Sequence, residues 1–403
     1  MQFTYALTGT INGLGKHAAG VGVSSTPLTN GVNGVLCRRN GSLTLNWDKK
    51  NVEDQGIIKF DILGLAEVGV IADTFAMIKD NYGIELDYED IPMGDDRVFK
   101  MLSRGHTTGV FQISGWSATK IAKEMKIDNF DDICLVSAIC RPGPDSDQII
   151  KNKKRNRWAK IHPKVDEILD STYGVLCYQE QAMKIFNVVA GYSKVNTETM
   201  RKVIAKSMGV TEMNRHKKTF FTGCAKIGYV TEPQASKLWD DMVEFSKYSF
   251  NLSHCVAYSY ISYINAWLKV NYPAEFVACG LTYAGDDKAK AIFEDATNNL
   301  RLDIKLPKIG LSKSSAWTAK DKSLVAPYKS IKGVGEKMAI IMEEYKEPVN
   351  SGFFDLGFNA EGLPKKAVEL LDRIYGFDED KRLSLAELRN VNELFAFDTL
   401  LLL

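Results

Sequence analysis

The chain has 403 residues, of which 45% are hydrophobic and 25% are charged, and its formal net charge is +1. This composition is typical of a globular protein with two or three domains, and it lacks the overall surplus of Lys and Arg that is usual in nucleic-acid binders. The seven cysteines form no Cys-x-x-Cys pair, which argues against a zinc or disulfide framework, and no apolar run predicts a signal peptide or a membrane helix.

Residues 1–80 are predicted to be rich in β-structure, with one helix at their end. Short apolar runs between glycines predict strands at Gly20–Val23 and at residues 43–47. Residues 56–65 predict a further short strand, buried and ending at Gly64, and apolar spacing of three and four predicts a helix over residues 67–79.

Lys59 and Asp61 lie on one face of the predicted strand at residues 56–65, because side chains alternate along a strand. An ammonium and a carboxylate on an otherwise apolar strand are costly to bury without partners. The pair therefore has either a structural role as an ion pair or a role in a functional site. Upstream, Lys16 and His17 lie between Gly15 and Gly20, a pattern that by itself is typical of a solvated turn.

Residues 81–305 are predicted to be helical. Apolar residues recur at helical spacing in segments 95–102, 119–125, 131–139, 181–190, 195–204, 233–245, 258–270 and 273–283. Asn129 or Asp131 is a candidate N-cap for the third segment, and Gly191 ends the fourth. Arg141 precedes the turn Pro142-Gly143-Pro144, which is stiff and ends a helix; the arginine there is either simply solvated or held for a ligand.

Two basic clusters lie in this helical region. Residues 151–160 carry six positive charges in ten residues, including Lys153, Lys154, Arg155 and Arg157, and they enclose Trp158. Arg201, Lys202 and Lys206 form a stripe on a predicted helix. Such runs are usually solvated faces, but an enclosed tryptophan can stack on a base, and phosphate contacts give affinity without sequence choice.

A polar segment, Asn251-Leu252-Ser253-His254, precedes a long predicted helix. Asn251 or Ser253 is a candidate N-cap, and the positive end of a helix can bind an anion. The alternative is that His254 is a satisfied structural group.

Residues 306–380 contain Ile331-Lys332-Gly333-Val334-Gly335, followed by a predicted helix over residues 337–345. This is either an ordinary turn between helices or a helix-hairpin-helix motif, whose tight turn exposes amides to a phosphate. Lys332, Gly333, Gly335 and Lys337 would then bind the DNA backbone, and a further helix is predicted over residues 363–375. Residues 381–403 form an apolar tail, in which residues 392–395 loosely resemble a sliding-clamp peptide.

In order and spacing, the motifs resemble those of the C-family replicative DNA polymerases, the bacterial DNA polymerase III alpha subunits. The segments that carry the resemblance are Gly15-Lys16-His17, Lys59-Phe60-Asp61, Gly109-Val110-Phe111-Gln112, Arg141-Pro142-Gly143-Pro144, Tyr178-Gln179-Glu180-Gln181, Asn251-Leu252-Ser253-His254 and Gly333-Val334-Gly335. The resemblance implies a mostly α-helical α+β fold with part of a β-rich palm at residues 1–80, helical fingers at residues 81–305 and a helix-hairpin-helix region at residues 306–380.

The resemblance also implies roles for individual residues. Asp61 would be the metal ligand, with Lys59 beside it in the catalytic site. The nucleotide-binding residues would be Lys16, His17, Arg141, Gly143, Asn251, Ser253, His254 and Tyr258. The DNA-binding residues would be Lys153, Lys154, Arg155, Arg157, Arg201, Lys202, Lys206, Lys332, Gly333, Gly335 and Lys337. Leu252, Cys255 and Val256 stand where the family pattern has Lys, Ser and Ala, which weakens the electrostatic part of this transfer.

A two-metal site needs several carboxylates, and the family places an Asp-x-Asp pair upstream of the position of Gly15. The expectation is therefore a split polymerase, inactive alone, in which a complementary chain completes a two-ion Mg²⁺ site. Its partners would be template-primer DNA, dNTP, that second chain and a sliding clamp, with no membrane, in the cytoplasm of a bacterial or phage-infected cell. The alternative function is that of a non-catalytic DNA- or nucleotide-binding polymerase fragment with a role in assembly or regulation.

Overall fold

The computed structural model describes residues 15–17, 19–28, 36–39, 41–141, 145–205, 210–247, 249–308, 310–331 and 333–344. This part of the chain is mostly α-helical and contains three small sheets, which confirms the predicted fold class. The chain divides into two compact units, residues 1–66 and 67–403. All but the first residue of the Ala66–Tyr82 helix belong to the second unit, and the domain boundary at residue 80 stays a prediction.

The described part of the first unit contains two antiparallel strand pairs and a short helix. Strand β1 (Gly20–Val23) pairs with β4 (Ile58–Asp61), and β2 (Leu36–Arg39) pairs with β3 (Ser42–Leu45). The helix Lys49–Asp54 begins at Asp48, whose side chain accepts a hydrogen bond from the Asn51 amide. The prediction for β1 is confirmed, and the strand predicted at residues 43–47 begins one residue earlier.

Strand β4 differs from its prediction in length and burial. It ends at Asp61 rather than at Gly64, and its apolar side chains are open, with Ile58 60% and Phe60 53% exposed. The pairing register places both on one face of the sheet with Val21 and Val23 of β1. The prediction of a buried strand was wrong because apolar alternation shows which side chains share a face, not whether another layer covers that face.

The second unit is built from helices, and its strands are short. Among the described residues, its α-helices span Ala66–Tyr82, Asp96–Ser103, Trp116–Met125, Phe130–Ile139, Ser146–Arg155, Pro163–Leu169, Gln179–Lys184, Lys194–Ala205, Val210–Arg215, Lys217–Ile227, Glu232–Phe245, Leu252–Asn271, Pro273–Tyr283, Asp286–Asn298 and Glu336–Glu344. The eight helices predicted between residues 95 and 283 are confirmed, with shifted ends. The segment predicted at 181–190 changes from an α-helix to a π-helical turn at Ile185–Val189.

Two apolar cores stabilise the second unit. In the larger core, the Leu252–Asn271 helix packs on the Phe130–Ile139 helix and buries Ile264 and Leu268 completely. The smaller core surrounds Phe186 and Trp239. Burial of large side chains of this kind is the main favourable term in folding.

One buried ion pair fixes the end of the Leu252–Asn271 helix. The side chain of Lys269 is 1% exposed, and its Nζ lies 2.7 Å from Oδ2 of Asp295. The same ammonium donates to the carbonyls of His106 at 3.0 Å and Thr108 at 2.8 Å. Because all of its donors face acceptors, the cost of burying the charge is offset, and the helix end is joined to a loop and to a neighbouring helix.

The last described part carries a three-stranded sheet with the order β5 (Ile304–Lys305), β7 (Ser323–Val325), β6 (Thr318–Lys320). A single 3₁₀ turn, Tyr328–Ser330, precedes the glycine turn and the Glu336–Glu344 helix. The helix predicted at 363–375 and the tail at 381–403 lie outside the described residues. Among the helices that are described, none combines the length and the apolar character needed to cross a bilayer.

Candidate functional site

Asp61 lies at the end of β4, and Lys59 holds its carboxylate. The ammonium Nζ of Lys59 is 2.7 Å from Oδ1 and 2.8 Å from Oδ2 of Asp61. The hydrogen bond from Lys59 lowers the pKa of Asp61, so the carboxylate is ionised at neutral pH. With 43% of its side chain exposed, Asp61 presents negative oxygens to solvent.

His17 joins this pair, whereas Lys16 points elsewhere. Nε2 of His17 lies 3.8 Å from Oδ1 of Asp61, and Nδ1 accepts a hydrogen bond from the Ala19 amide at 3.2 Å. In the neutral imidazole the proton is therefore on Nε2, facing the carboxylate. Lys16 donates to the Ser42 hydroxyl at 2.9 Å, so its ammonium lies against strand β3.

Two glycines of β1 are paired with Asp61 and Lys59, and one of them, Gly20, leaves room for the side chains of His17 and Lys59. The register pairs Gly20 with Asp61 and Gly22 with Lys59. A Cβ atom at Gly20 would lie 3.0 Å from Nδ1 of His17 and 3.1 Å from Cε of Lys59. The sequence had indicated no role in the site for Gly20 or Gly22, although a spacing of two on a predicted strand places both on one face.

Asp61 fits Mg²⁺ as one ligand of a larger set. Ionised carboxylate oxygen is the donor that Mg²⁺ prefers, but among the described residues no group of three or more His, Cys, Asp or Glu side chains is arranged to hold a metal ion. Asp145, which follows the Arg141 turn, instead caps the Ser146–Arg155 helix by accepting from the Gln148 amide at 2.9 Å.

In the second unit, four rings form a continuous row on and beside the start of the Leu252–Asn271 helix. This aromatic row consists of Phe250, His254, Tyr258 and Phe111, with successive centroid distances of 5.7, 4.1 and 5.4 Å. Spacing of four residues on the helix places His254 and Tyr258 on one face. The guanidinium carbon of Arg141 lies 4.7 Å from the Phe250 centroid, so three of the predicted nucleotide-binding residues come together; Gly143 lies outside the described residues.

Side-chain oxygens of the protein itself accept hydrogen bonds from the first turn of this helix. Asn251 is the N-cap, and its Oδ1 accepts from the His254 amide at 3.0 Å and from the Ser253 hydroxyl at 2.6 Å. The Leu252 amide donates to Oε2 of Glu180 at 2.8 Å. The amides at this helix start were expected to be open to an anion. The Glu180 carboxylate, which is distant in sequence, already occupies part of that position.

Lys153 faces the protein core and is not a free cation. Its side chain is 9% exposed, and its ammonium hydrogen-bonds to Asp132, to Asp128 at 3.0 Å and to the Tyr173 hydroxyl at 3.2 Å. Burial alone would lower the pKa of Lys153, but the hydrogen bonds to the two carboxylates raise it. Its predicted contact with DNA is therefore corrected to a structural ion pair.

The other basic residues of this cluster are exposed around a surface cavity. Arg155, Arg157 and Lys160 line a cavity of about 880 Å³ together with Trp158, and Lys154 is exposed on the adjoining helix. Nζ of Lys160 lies 3.8 Å from the centroid of the Trp158 ring. A Cβ atom at Gly174 would lie 2.3 Å from Cδ1 of Trp158. Trp158 is therefore covered by Lys160 and packed against Gly174, which corrects the expectation of an open base-stacking face.

The remaining predicted DNA-binding residues lie apart in the fold. Arg201 is held by Glu198 through hydrogen bonds of 2.9 and 2.8 Å, and Lys202 is exposed on the same helix. Gly333 has a φ of 90° in the turn before an exposed Lys337, as a tight turn requires. Lys206 and Lys332 lie outside the described residues.

Family models and curated proteins give a consistent set of similarities. Residues 1–64 match the model of the bacterial DNA polymerase III alpha NTPase domain, and residues 67–228 match that of the bacterial DNA polymerase III alpha subunit finger domain. The gap between the two matches coincides with the division of the chain after residue 66.

Curated relatives that carry the name DNA polymerase III subunit alpha include the following three. The protein of Aquifex aeolicus is 34% identical over 376 residues, which cover 91% of this chain and 32% of that protein. The protein of Mycobacterium tuberculosis is 37% identical over 300 residues, covering 72% and 25%, and that of Halalkalibacterium halodurans is 32% identical over 396 residues, covering 94% and 34%. The chain thus spans about a quarter to a third of the length of these relatives.

Proposed function

Because this chain belongs to the bacterial DNA polymerase III alpha subunit family, we propose that it is a component of a replicative DNA-directed DNA polymerase. The reaction is attack of a primer 3′-hydroxyl on the α-phosphate of a deoxynucleoside triphosphate, with loss of pyrophosphate. The observation that carries the proposal is the ionised, accessible carboxylate of Asp61, held by Lys59 on the strand where the family pattern has a metal ligand.

Asp61 contributes one ligand to a Mg²⁺ site, and its remaining carboxylates come from other parts of the polymerase, on the same polypeptide or on a second one. When bound, Mg²⁺ stabilises the negative charge that develops on the transferred phosphate. Lys59 keeps Asp61 ionised and directed, and Nε2 of His17 lies beside the same carboxylate.

In the second unit, Arg141 and the aromatic row provide contacts for the nucleotide. A guanidinium over a ring is oriented and partly desolvated, which suits it to contact a phosphate. The adjacent, tilted rings of His254 and Tyr258 offer an apolar face with polar edges to the sugar and base. In phosphoryl transfer, such positioning is a large part of the protein's contribution to catalysis.

The template-primer DNA is bound through the exposed cations Lys154, Arg155 and Arg157, with Lys202, Gly333, Gly335 and Lys337 as further phosphate contacts. These residues are open to solvent and present no ordered set of base-reading side chains. Contacts of this type give binding that is strong, sensitive to salt and indifferent to sequence, as replication of any template requires.

A primer-extension assay tests the proposed function. The 403-residue chain is assayed with Mg²⁺, dNTP and template-primer DNA, alone and after assembly with the amino-terminal portion of a polymerase III alpha subunit that carries the other carboxylates. We expect extension only after assembly. Extension by the chain alone would contradict the need for additional ligands, and DNA binding without extension by the assembly would favour a non-catalytic role.

The basic cavity gives a prediction about salt dependence. Replacing Arg155 and Arg157 together with Ala removes two phosphate contacts, so the slope of log K against log salt should fall by about two, that is, about one per contact. The measurement is fluorescence anisotropy of labelled template-primer DNA over a range of salt concentrations. Lys79→Ala, an exposed lysine paired with Glu85, is the matched control, and an unchanged slope in the double variant would exclude the cavity from DNA binding.

A further inference from the structure

We propose that Gln179 and Glu180 are positioning residues that hold the segment Ser249–His254 in the geometry needed for nucleotide binding. This inference rests on the proposed function. It assigns a role to the segment Tyr178-Gln179-Glu180-Gln181, which contributes no ring or cation to the candidate site. Neither residue belongs to the aromatic row, and both act through the backbone that carries it.

Three hydrogen bonds join the two segments across about seventy positions of sequence. The Gln179 amide donates to the Phe250 carbonyl at 2.8 Å, and its side-chain Nε2 donates to the Ser249 hydroxyl at 3.0 Å. Oε2 of Glu180 accepts from the Leu252 amide at 2.8 Å. Tyr178 and Phe250 also form an isolated parallel β-bridge. We call this set of contacts between residues 178–180 and 249–252 the clamp.

The clamp has a rigid base because Gln181 is buried and fully bonded. Gln181 is 4% exposed; its Oε1 accepts from the amides of Cys177 and Tyr178, both at 3.0 Å. Its Nε2 donates to the Ile168 carbonyl at 3.1 Å and to the Thr172 hydroxyl at 2.8 Å. A side-chain amide with its oxygen and nitrogen all engaged leaves the turn before Gln179 few alternative conformations.

The position of the clamp explains why it matters for the site. Phe250 begins the aromatic row and carries Arg141 over its ring, and His254 lies one helical turn further on. If the backbone at Phe250 and Leu252 moves, Arg141 and His254 lose their mutual placement even though both side chains remain intact. The Glu180 carboxylate also interacts favourably with the positive end of the Leu252–Asn271 helix.

Hydrogen–deuterium exchange of the 403-residue chain tests the clamp without any need for activity. In Glu180→Ala the peptide covering residues 249–257 should exchange at least about tenfold faster, since loss of a charged hydrogen bond favours local opening by that order. Glu180→Gln keeps an acceptor oxygen and should restore most of the protection. Glu124→Ala, a partly exposed carboxylate paired with Lys120, serves as the control, and thermal unfolding verifies that each variant folds.

Steady-state primer extension by the assembled polymerase tests the functional part. We expect Glu180→Ala to raise the KM for dNTP by about tenfold with a smaller change in kcat, since misplacement of binding groups weakens nucleotide capture; Glu180→Gln should largely rescue it. Gln179→Ala provides a second, milder variant with the same direction of change.

The outcomes separate the inference from the proposed function. Unchanged exchange in Glu180→Ala would overturn the clamp, and faster exchange with unchanged KM would overturn its positioning role. If the wild-type assembly fails to extend primers, the proposed function is wrong, while the exchange result still decides whether Glu180 holds the segment.

Discussion

Asp61→Asn is expected to reduce primer extension by the assembled polymerase by about 10³-fold. The substitution removes the negative charge at nearly constant volume, and metal-ion stabilisation of a phosphoryl transition state is worth several kcal/mol, each 1.36 kcal/mol being a factor of ten. The measurement is single-turnover extension at saturating dNTP. Binding of template-primer DNA, measured by anisotropy, should not change, because the proposed DNA contacts lie on other side chains.

Asp54→Asn is the matched control for this prediction. Asp54 is an exposed aspartate of the same unit, at the end of the Lys49–Asp54 helix, and its substitution should leave extension intact. Wild-type extension rates in Asp61→Asn would show that Asp61 is not a metal ligand and that its contact with Lys59 is only a structural ion pair.

Lys153→Met is expected to lower the free energy of unfolding by about 3–5 kcal/mol, because it leaves the 1%-exposed carboxylate of Asp132 without its cation. Chemical denaturation monitored by tryptophan fluorescence measures the loss. The exposed neighbour gives the comparison: Lys154→Met should change stability by less than about 0.5 kcal/mol.

The same pair of variants separates stability from DNA binding. At a temperature where both are folded, Lys153→Met should keep the wild-type salt slope for DNA, whereas Lys154→Met should lower it by about one. A lower slope in Lys153→Met would mean that its ammonium leaves Asp132 to contact phosphate, in conflict with the buried ion pair.

Local sequence signals predicted the helices well because their start and stop signals act locally. Asn129 and Asn251 accept amide hydrogen bonds at the helix starts, and Gly191 has the positive φ expected after a helix. The placement of Lys59 and Asp61 on one face also followed from strand alternation alone. Family resemblance then selected, among many polar residues, the set that includes Arg141, His254 and Asp61.

Contacts between distant segments could not be predicted in this way. Nothing near Lys153 in sequence indicates that Asp132 and Tyr173 surround its ammonium. Nothing near Leu252 indicates that the Glu180 carboxylate caps its amide. The same holds for strand β4. Its alternating pattern predicts which side chains share a face, but it does not predict that the apolar face is exposed to solvent.

The Leu252–Asn271 helix is tied at both ends, by Glu180 and Asn251 at its first turn and by Lys269 at its last. Twenty residues of α-helix make a stiff rod of about 30 Å. A ligand that contacts His254 cannot move the first turn of the helix separately, because Glu180 and Asn251 hold the backbone amides of Leu252 and His254. Any displacement of His254 by the proposed nucleotide should therefore shift the helix as a unit and change the contacts of Lys269 with the loop of His106 and Thr108 at its other end.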